Sequence, residues 1–321
     1  MKKLTALLLA ALMIVSFAAC GNKDDNADTP ANLKFATGGS SGTYYAFGSA
    51  LVSIIKEKAN IDLTVESTGA SKANLQLIET GESDIAIVQN DVMSYAARGV
   101  DLFDGTKLTK FSTVGAIYAE VCQIVANPKA GITSVADLKG KKVSVGDAGS
   151  GVEFNAKQIL EAYDITFDDI AKQNLSFADS AEALKNGQID AFFCTAGAPT
   201  TAIMDLDATN DIIVLAVDDA HLAKLTESYP YYTQYILPAG TYESMTEAVA
   251  TVAVKATIVA ANDIDETTIY NLTKAIFDNK EEIATAHAKG AEIDTTYAVE
   301  GIDVAFHPGA EKYFKEVGAL K

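Results

Sequence analysis

Two short stretches of glycine, serine and threonine are the residues best suited to chemistry. One is Gly38-Gly-Ser-Ser-Gly-Thr43; the other is Gly146-Asp-Ala-Gly-Ser-Gly151. Each lies between a strand-like apolar run and a helical pattern. Leu33–Thr37 precedes the first and Tyr44–Ile55 follows it; Lys142–Val145 precedes the second and Val152–Leu160 follows it. A loop that opens a helix presents unpaired backbone N–H groups and the positive end of the helix dipole, so it attracts anions. Its glycines let the backbone approach a ligand where a Cβ would obstruct it. The chemistry on offer is capture of a negative group by neutral donors. Arginine is the usual clamp for a carboxylate, but the chain has one, Arg98, just before Gly99. There it reads as a solvated cap on the end of a helix.

The candidate contacts follow from this. The first loop offers Gly39, Ser41, Thr43 and Tyr44. Ser67 and Thr68 end one strand candidate, and Gln89 and Asp91 end another. Asp91 reads equally as a helix N-cap, whereas the Gln89 amide both donates and accepts. Ser150 and Gly151 form the matching second nest. Glu153 could take an ammonium group or simply complement the helix dipole, and Glu120 is a rival for that role. Thr195-Ala-Gly197 is expected to line the cleft, with Phe193 providing apolar contact.

The elements that must position these residues alternate. Strand candidates are 33–37, 62–67, 85–89, 111–117, 121–126, 142–146, 189–195, 212–217, 233–237 and 252–260. Helix candidates are 42–58, 71–80, 91–98, 134–139, 151–163, 179–186, 221–226, 266–280, 281–288 and 308–317. In the first of these, Phe47, Ala50, Leu51, Ile54 and Ile55 share a face. Such alternation implies an α/β fold of mostly parallel sheets covered by helices, with ligands at the carboxyl ends of the strands. The loops belong to a larger repeat. Gly81-Glu-Ser-Asp84 follows the first and Gly187-Gln-Ile-Asp190 the second, 39 residues after Gly42 and 36 after Gly151. The repeat predicts two α/β lobes. Phe111–Asn127, broken by Tyr118-Ala-Glu120, and Thr251–Asn262 are long enough to cross between them, giving a hinge of two strands. Lobe I is expected over 33–118 plus 254–321 and lobe II over 119–253, with ligand buried by closure.

The N-terminus gives an address. Met1-Lys-Lys, the apolar run Leu4–Val15 and Phe17-Ala-Ala-Cys20 read as an export signal ending in a lipobox. Residues 1–19 are expected to be removed, Cys20 to carry lipid, and 20–32 to be a polar tether, placing the protein outside the cytoplasmic membrane and anchored to it. The formal charge of −18 becomes −20 once Lys2 and Lys3 leave. That charge argues against nucleic acid and anionic membrane surfaces as partners. Cys122 and Cys194 read as buried thiols, although a disulfide suits such a compartment. The histidines His221, His287 and His307 are far apart, so no metal and no cofactor is expected.

The series Ala36-Thr-Gly-Gly-Ser-Ser-Gly-Thr-Tyr-Tyr45, Glu66–Leu75, Gly81–Asp91, Ser134–Gly146, Gly149-Ser-Gly151, Tyr235–Tyr242 and His307-Pro-Gly-Ala310 spans the mature chain in order. It resembles the TAXI solute-binding proteins of tripartite ATP-independent periplasmic (TRAP) transporters. The resemblance implies a periplasmic-binding-protein type II fold. It implies a monomer that captures a small organic anion, glutamate, glutamine or a related acid, and delivers it to TRAP permease subunits. The lipobox departs from Gram-negative relatives, which diffuse freely. An enzyme acting on phosphorylated or acyl substrates is disfavoured, because no catalytic pattern is read: no Walker lysine follows either loop, no G-x-S-x-G elbow is read in the chain, and no histidine stands near a candidate serine. A ligand sensor coupled to a signalling partner is the remaining alternative.

Overall fold

The computed structural model describes residues 31–321, which form one compact unit. The expected signal peptide, the Cys20 attachment site and the tether up to residue 30 lie outside the described residues. Ala31 and Asn32, expected in the tether, instead open the first strand and pair with Ile61 and Asp62.

In chain order the elements are β1 (Ala31–Ala36), α1 (Thr43–Ala59), β2 (Ile61–Glu66), α2 (Ser71–Thr80), β3 (Ile85–Gln89), α3 (Asn90–Arg98) and β4 (Phe111–Ala126). Then come β5 (Lys142–Ser144), α4 (Gly151–Ala162), β6 (Ala171–Gln173), α5 (Phe177–Lys185), β7 (Ala191–Ala196), α6 (Thr201–Asp207), β8 (Ile213–Leu215), α7 (Asp219–Ser228) and β9 (Thr233–Leu237). The chain closes with β10 (Val249–Ala261), α8 (Glu266–Asp278), α9 (Lys280–Ala286), α10 (Thr295–Val299) and α11 (Pro308–Glu316). The sequence patterns place most of these within a few residues. They miss β6, α6 and α10, which are too short to show a period.

The sheet order is β2-β1-β3-β10-β4-β7-β5-β6, with β8 against β4 and β9 against β10. It is a doubled arrangement. β1 is flanked by parallel β2 and β3, and β5 by parallel β6 and β7. The copies agree in detail. Asp84 Oδ2 accepts the Lys34 N–H at 2.7 Å, and Asp190 Oδ2 accepts the Lys142 N–H at 2.8 Å. Gly81 (φ 76°) and Gly187 (φ 67°) turn the chain out of the second helix of each copy, in a conformation natural to glycine.

Between the copies, antiparallel β4 and β10 run through the centre, paired with each other; β10 also pairs with β3 of the first copy and β4 with β7 of the second. The expected break at Tyr118-Ala-Glu120 does not occur: β4 is continuous for 16 residues. Tyr118 is buried edge-on against Phe47, ring centroids 5.2 Å apart.

Apolar side chains gather in separate cores on the two sides of this centre. Phe35, Phe47, Leu51, Ile55 and Phe314 belong to the first half; Val143, Ile159, Leu160 and Phe193 belong to the second. Each buried side chain of this size is worth roughly 1.5–3 kcal/mol. Cys122 and Cys194 are free thiols. Cys122 pairs across strands with Thr195, and Cys194 with Gln123. The side chains of Cys122 and Cys194 therefore point to opposite faces of the sheet, into different cores, and the alternative of a disulfide between them falls away.

Candidate ligand-binding site

The two loops meet at one cavity. It leaves about 40 Å³ open to water and is lined from the first half by Gly38, Gly39, Ser41–Tyr44, Ala70, Ser71 and Gln89. The second half supplies Asp147, Ser150–Val152, Phe177, Thr195 and Ala196, and Glu120 of β4 completes the wall. The position is the carboxyl end of parallel strands, where ligands of such sheets bind.

Several helices begin here, and three of them, α1, α2 and α4, follow the Gly/Ser loops or the end of β2. α1 starts after Gly42, which offers no side-chain cap, and has no acidic residue in its first turn. α2 starts after Ala70, again with no side-chain cap and no acid. Ala70 holds φ 67°, a left-handed conformation costly for a residue with a Cβ. α4 is different: its N-cap Ser150 accepts the Glu153 N–H at 3.3 Å. Glu153 Oε2 then accepts the Gly149 N–H at 2.8 Å, and Oε1 meets Lys172 Nζ at 2.6 Å and Asn174 Nδ2 at 3.2 Å. Burial raises the Glu153 pKa, but Lys172, the Gly149 N–H and Asn174 together pull it below its ordinary value.

The halves are tied across the cavity. Thr43 Oγ1 donates to the Gly197 carbonyl at 3.0 Å. Gly151 packs against Gln89 so closely that a Cβ there would overlap the amide. Gln89 Nε2 donates to Asn155 Oδ1 at 3.1 Å, and Asn155 Nδ2 donates to Asp91 Oδ2 at 3.0 Å and to Tyr232 Oη at 2.9 Å. Tyr44 Oη donates to Glu120 Oε2 at 2.9 Å. Burial drives Glu120 well above the carboxylate range, outweighing the Tyr44 hydrogen bond. Burial also pushes Asp91 up to about 7, against the Val92 N–H and Asn155.

Seven of the thirteen sequence candidates line the cavity: Gly39, Ser41, Thr43, Tyr44, Gln89, Ser150 and Gly151. The other six sit behind it. Ser67 Oγ donates to Gly38 O, and Thr68 Oγ1 donates to Thr37 O and takes the Ala70 N–H, so both hold the first loop from outside. Asp91 is engaged by Asn155. Glu153 does not reach the cavity, because its carboxylate is spent on Lys172 and its own loop. Phe193 is buried in the core of the second half. Gly197 supplies the carbonyl that Thr43 meets. Sequence reasoning missed Ala70, Ser71, Asp147 and Phe177 as lining residues, and weighed Glu120 only as a rival. The Ala70–Ser71 signal was present, since both fall inside one of the quoted motifs.

Arg98 is elsewhere. Its Nε donates to Ser94 O at 3.2 Å at the end of α3, and its guanidinium donates to Tyr231 Oη at 2.8 Å. No Lys or Arg is among the lining residues. Contrary to the sequence reading that no catalytic pattern is present, Gly38-Gly-Ser-Ser-Gly42 has the spacing of a hydrolase elbow. Ser40 at its centre is exposed, however, and no histidine lines the cavity. Among the described residues no group of His, Cys, Asp or Glu is placed to hold a metal, and no helix is long and apolar enough to cross a membrane.

The model of the NMT1-like family matches residues 35–318. The chain belongs to the NMT1-like family. Solved structures place the architecture of this NMT1-like protein as well. The alkanesulfonate-binding protein SsuA from Xanthomonas axonopodis pv. citri, bound to MOPS, is 15% identical over 90% of this chain and 85% of its own, with a TM-score of 0.51. A structure from Bordetella bronchiseptica is 18% identical over 91% and 90%, with a TM-score of 0.56. A putative L-cystine ABC transporter protein from Listeria monocytogenes is 15% identical over 82% and 98%, with a TM-score of 0.53. The NMT1-like chain has the mixed α/β fold of periplasmic-binding proteins of type II.

Proposed function

We propose that this protein is an extracytoplasmic solute-binding lipoprotein, anchored through Cys20, that captures a small organic anion of the glutamate or glutamine kind. The observation that carries this reading is the convergence of the α1 and α2 starts on one cavity, neither with a side-chain cap. Their N–H groups and dipoles replace the water that a carboxylate loses on entry. The Ser71 hydroxyl adds a neutral donor, while that of Thr43 is given to the Gly197 carbonyl; the absence of lining Lys or Arg leaves the backbone as the main anion seat.

Residues 33–118 plus 254–321 and residues 119–253 act as two lobes that close on the ligand about β4 and β10. The Thr43–Gly197 bond and the Gln89–Asn155 bond are contacts of the closed form. Delivery is to a TRAP-type permease. The ordered TAXI-like motif series supports this choice; the structural neighbours, two of them named for sulfonate binding and cystine transport, support solute binding by their fold alone.

Calorimetric titration of the processed protein with glutamate, glutamine, succinate and 2-oxoglutarate tests the reading. At least one binds and raises the melting temperature. If none does either, the reading is wrong.

A further inference from the structure

Two acceptors are buried in the cavity wall without a cation of their own. Glu120, 1% exposed, lines it and takes hydrogen bonds from the Tyr44 hydroxyl and the Gln89 amide. Gln89, 2% exposed, lines the same cavity, and its Oε1 has no partner. Two buried acceptors thus belong to the wall that also holds the starts of α1 and α2, and Gln89 Oε1 lies against Gly151. An acceptor buried without a donor costs roughly 1–3 kcal/mol, and a carboxylate without a cation costs more.

The cation that acts on Glu120 is Lys289, which is shared with Glu292. From α1 Glu120 meets Tyr44, from α3 Asp91, from β4 Tyr118 and Cys122, from β7 Cys194, and from α10 Tyr297. The segment after α9 brings Lys289 and Glu292, but Lys289 Nζ is bound to Glu292 Oε1 at 2.6 Å. Asp147, itself raised by burial and by Asp179, is the other acid on the cavity wall. Glu153, the competing acid, is already neutralised by Lys172.

We propose that Glu120 and Oε1 of Gln89 form the seat of a ligand ammonium group, so that the cavity takes a zwitterionic α-amino acid with its carboxylate toward the starts of α1 and α2. The inference rests on the solute-binding reading above and adds the amine as the feature selected. Burial favours the neutral form of Glu120 before the ligand enters. An arriving ammonium stabilises the carboxylate, and the Glu120 proton leaves to buffer. Affinity therefore rises with pH until Glu120 is ionised in the free protein.

The test pairs each amino acid with the same carbon skeleton lacking the amine, using wild-type processed protein: glutamate against 2-oxoglutarate, and glutamine against glutaramate. The amino acid is expected to bind at least 100-fold more tightly. Titration at pH 7 in phosphate and in Tris is expected to show proton release, lost in Glu120→Gln together with about 100-fold in affinity. Equal binding of amine and amine-free partners overturns the ammonium seat and leaves solute binding standing. So does wild-type affinity or unchanged proton release in Glu120→Gln. Failure of the whole panel to bind overturns both readings. The wild-type comparison decides the matter even if Glu120→Gln folds poorly.

Discussion

The two strand–loop–helix copies have the same backbone plan and opposite chemistry at the helix start. Structural register, set by Lys34 with Lys142 and by Gly42 with Ser150, aligns the N-caps one residue away from the match of Gly42 to Gly151 suggested by the glycines alone. In the first copy the cap is glycine, and the helix start faces the cavity without a side chain. In the second the cap is Ser150, its N–H donors are partly answered by its own hydroxyl and by Glu153, and Lys172 neutralises the acid. In the proposed reading the first copy is open to receive an anion, whereas the second has filled the role from within and serves as a wall. The difference shows that a shared loop motif fixes where a helix begins, while the cap residue and the first turn decide whether the site remains free.

The crossing contacts repeat the asymmetry. The first residue of α1, Thr43, reaches the segment after β7 through a hydroxyl; the first residue of α4, Gly151, reaches the end of β3 only because it has no side chain. Gly151→Ala should therefore have the largest effect. Its methyl meets Gln89, the closed form is blocked, and affinity should fall more than 100-fold (~2.7 kcal/mol) by calorimetry, with a larger radius of gyration in solution scattering. Wild-type affinity would remove the close approach from the mechanism.

The positions following the third strand also differ, Asp91 in the first copy and Gly197 in the second. Asp91 is folded with a value of about 7, above the roughly 3.9 of an unfolded aspartate. The neutral form is the one the fold favours, so its contribution to stability is full below about pH 4 and is lost as pH rises through 7. Asp91→Asn, neutral throughout, should match wild type near pH 4 and melt several degrees higher at pH 8. Parallel melting curves would place the carboxylate in a better-solvated state than the structure shows.

Smaller effects separate ligand contact from capping. Thr43→Ala should weaken binding about 5- to 10-fold, the worth of one buried hydrogen bond, with little change in melting. Ser150→Ala should do the reverse, costing about 1 kcal/mol of stability and leaving affinity within about twofold. If the two substitutions gave the same pattern, the contrast between the copies would not hold.

Much of this was legible in the sequence. The doubled plan was carried by glycines at loop and helix ends and by apolar runs of strand length, and both reflect local backbone demands. The seven lining residues found from sequence lie in or beside those loops. What failed depended on partners distant in the chain. Ser67 and Thr68 end a strand at the right place, but their hydroxyls turn to Gly38 and Thr37. Glu153 looks available until Lys172, 19 residues on, is seen beside it. Glu120 looked like part of a break in β4 because polar residues interrupt an apolar run; the Tyr44 hydroxyl, 76 positions away, makes it part of the cavity wall.

The account stands most directly on where the ligand carboxylate sits. A crystal structure of the processed protein with the tightest-binding acid of the panel should show a carboxylate oxygen about 3 Å from first-turn N–H groups of α1 and α2, with Arg98 still on Tyr231. A carboxylate held instead at the start of α4, or by Arg98, would contradict it.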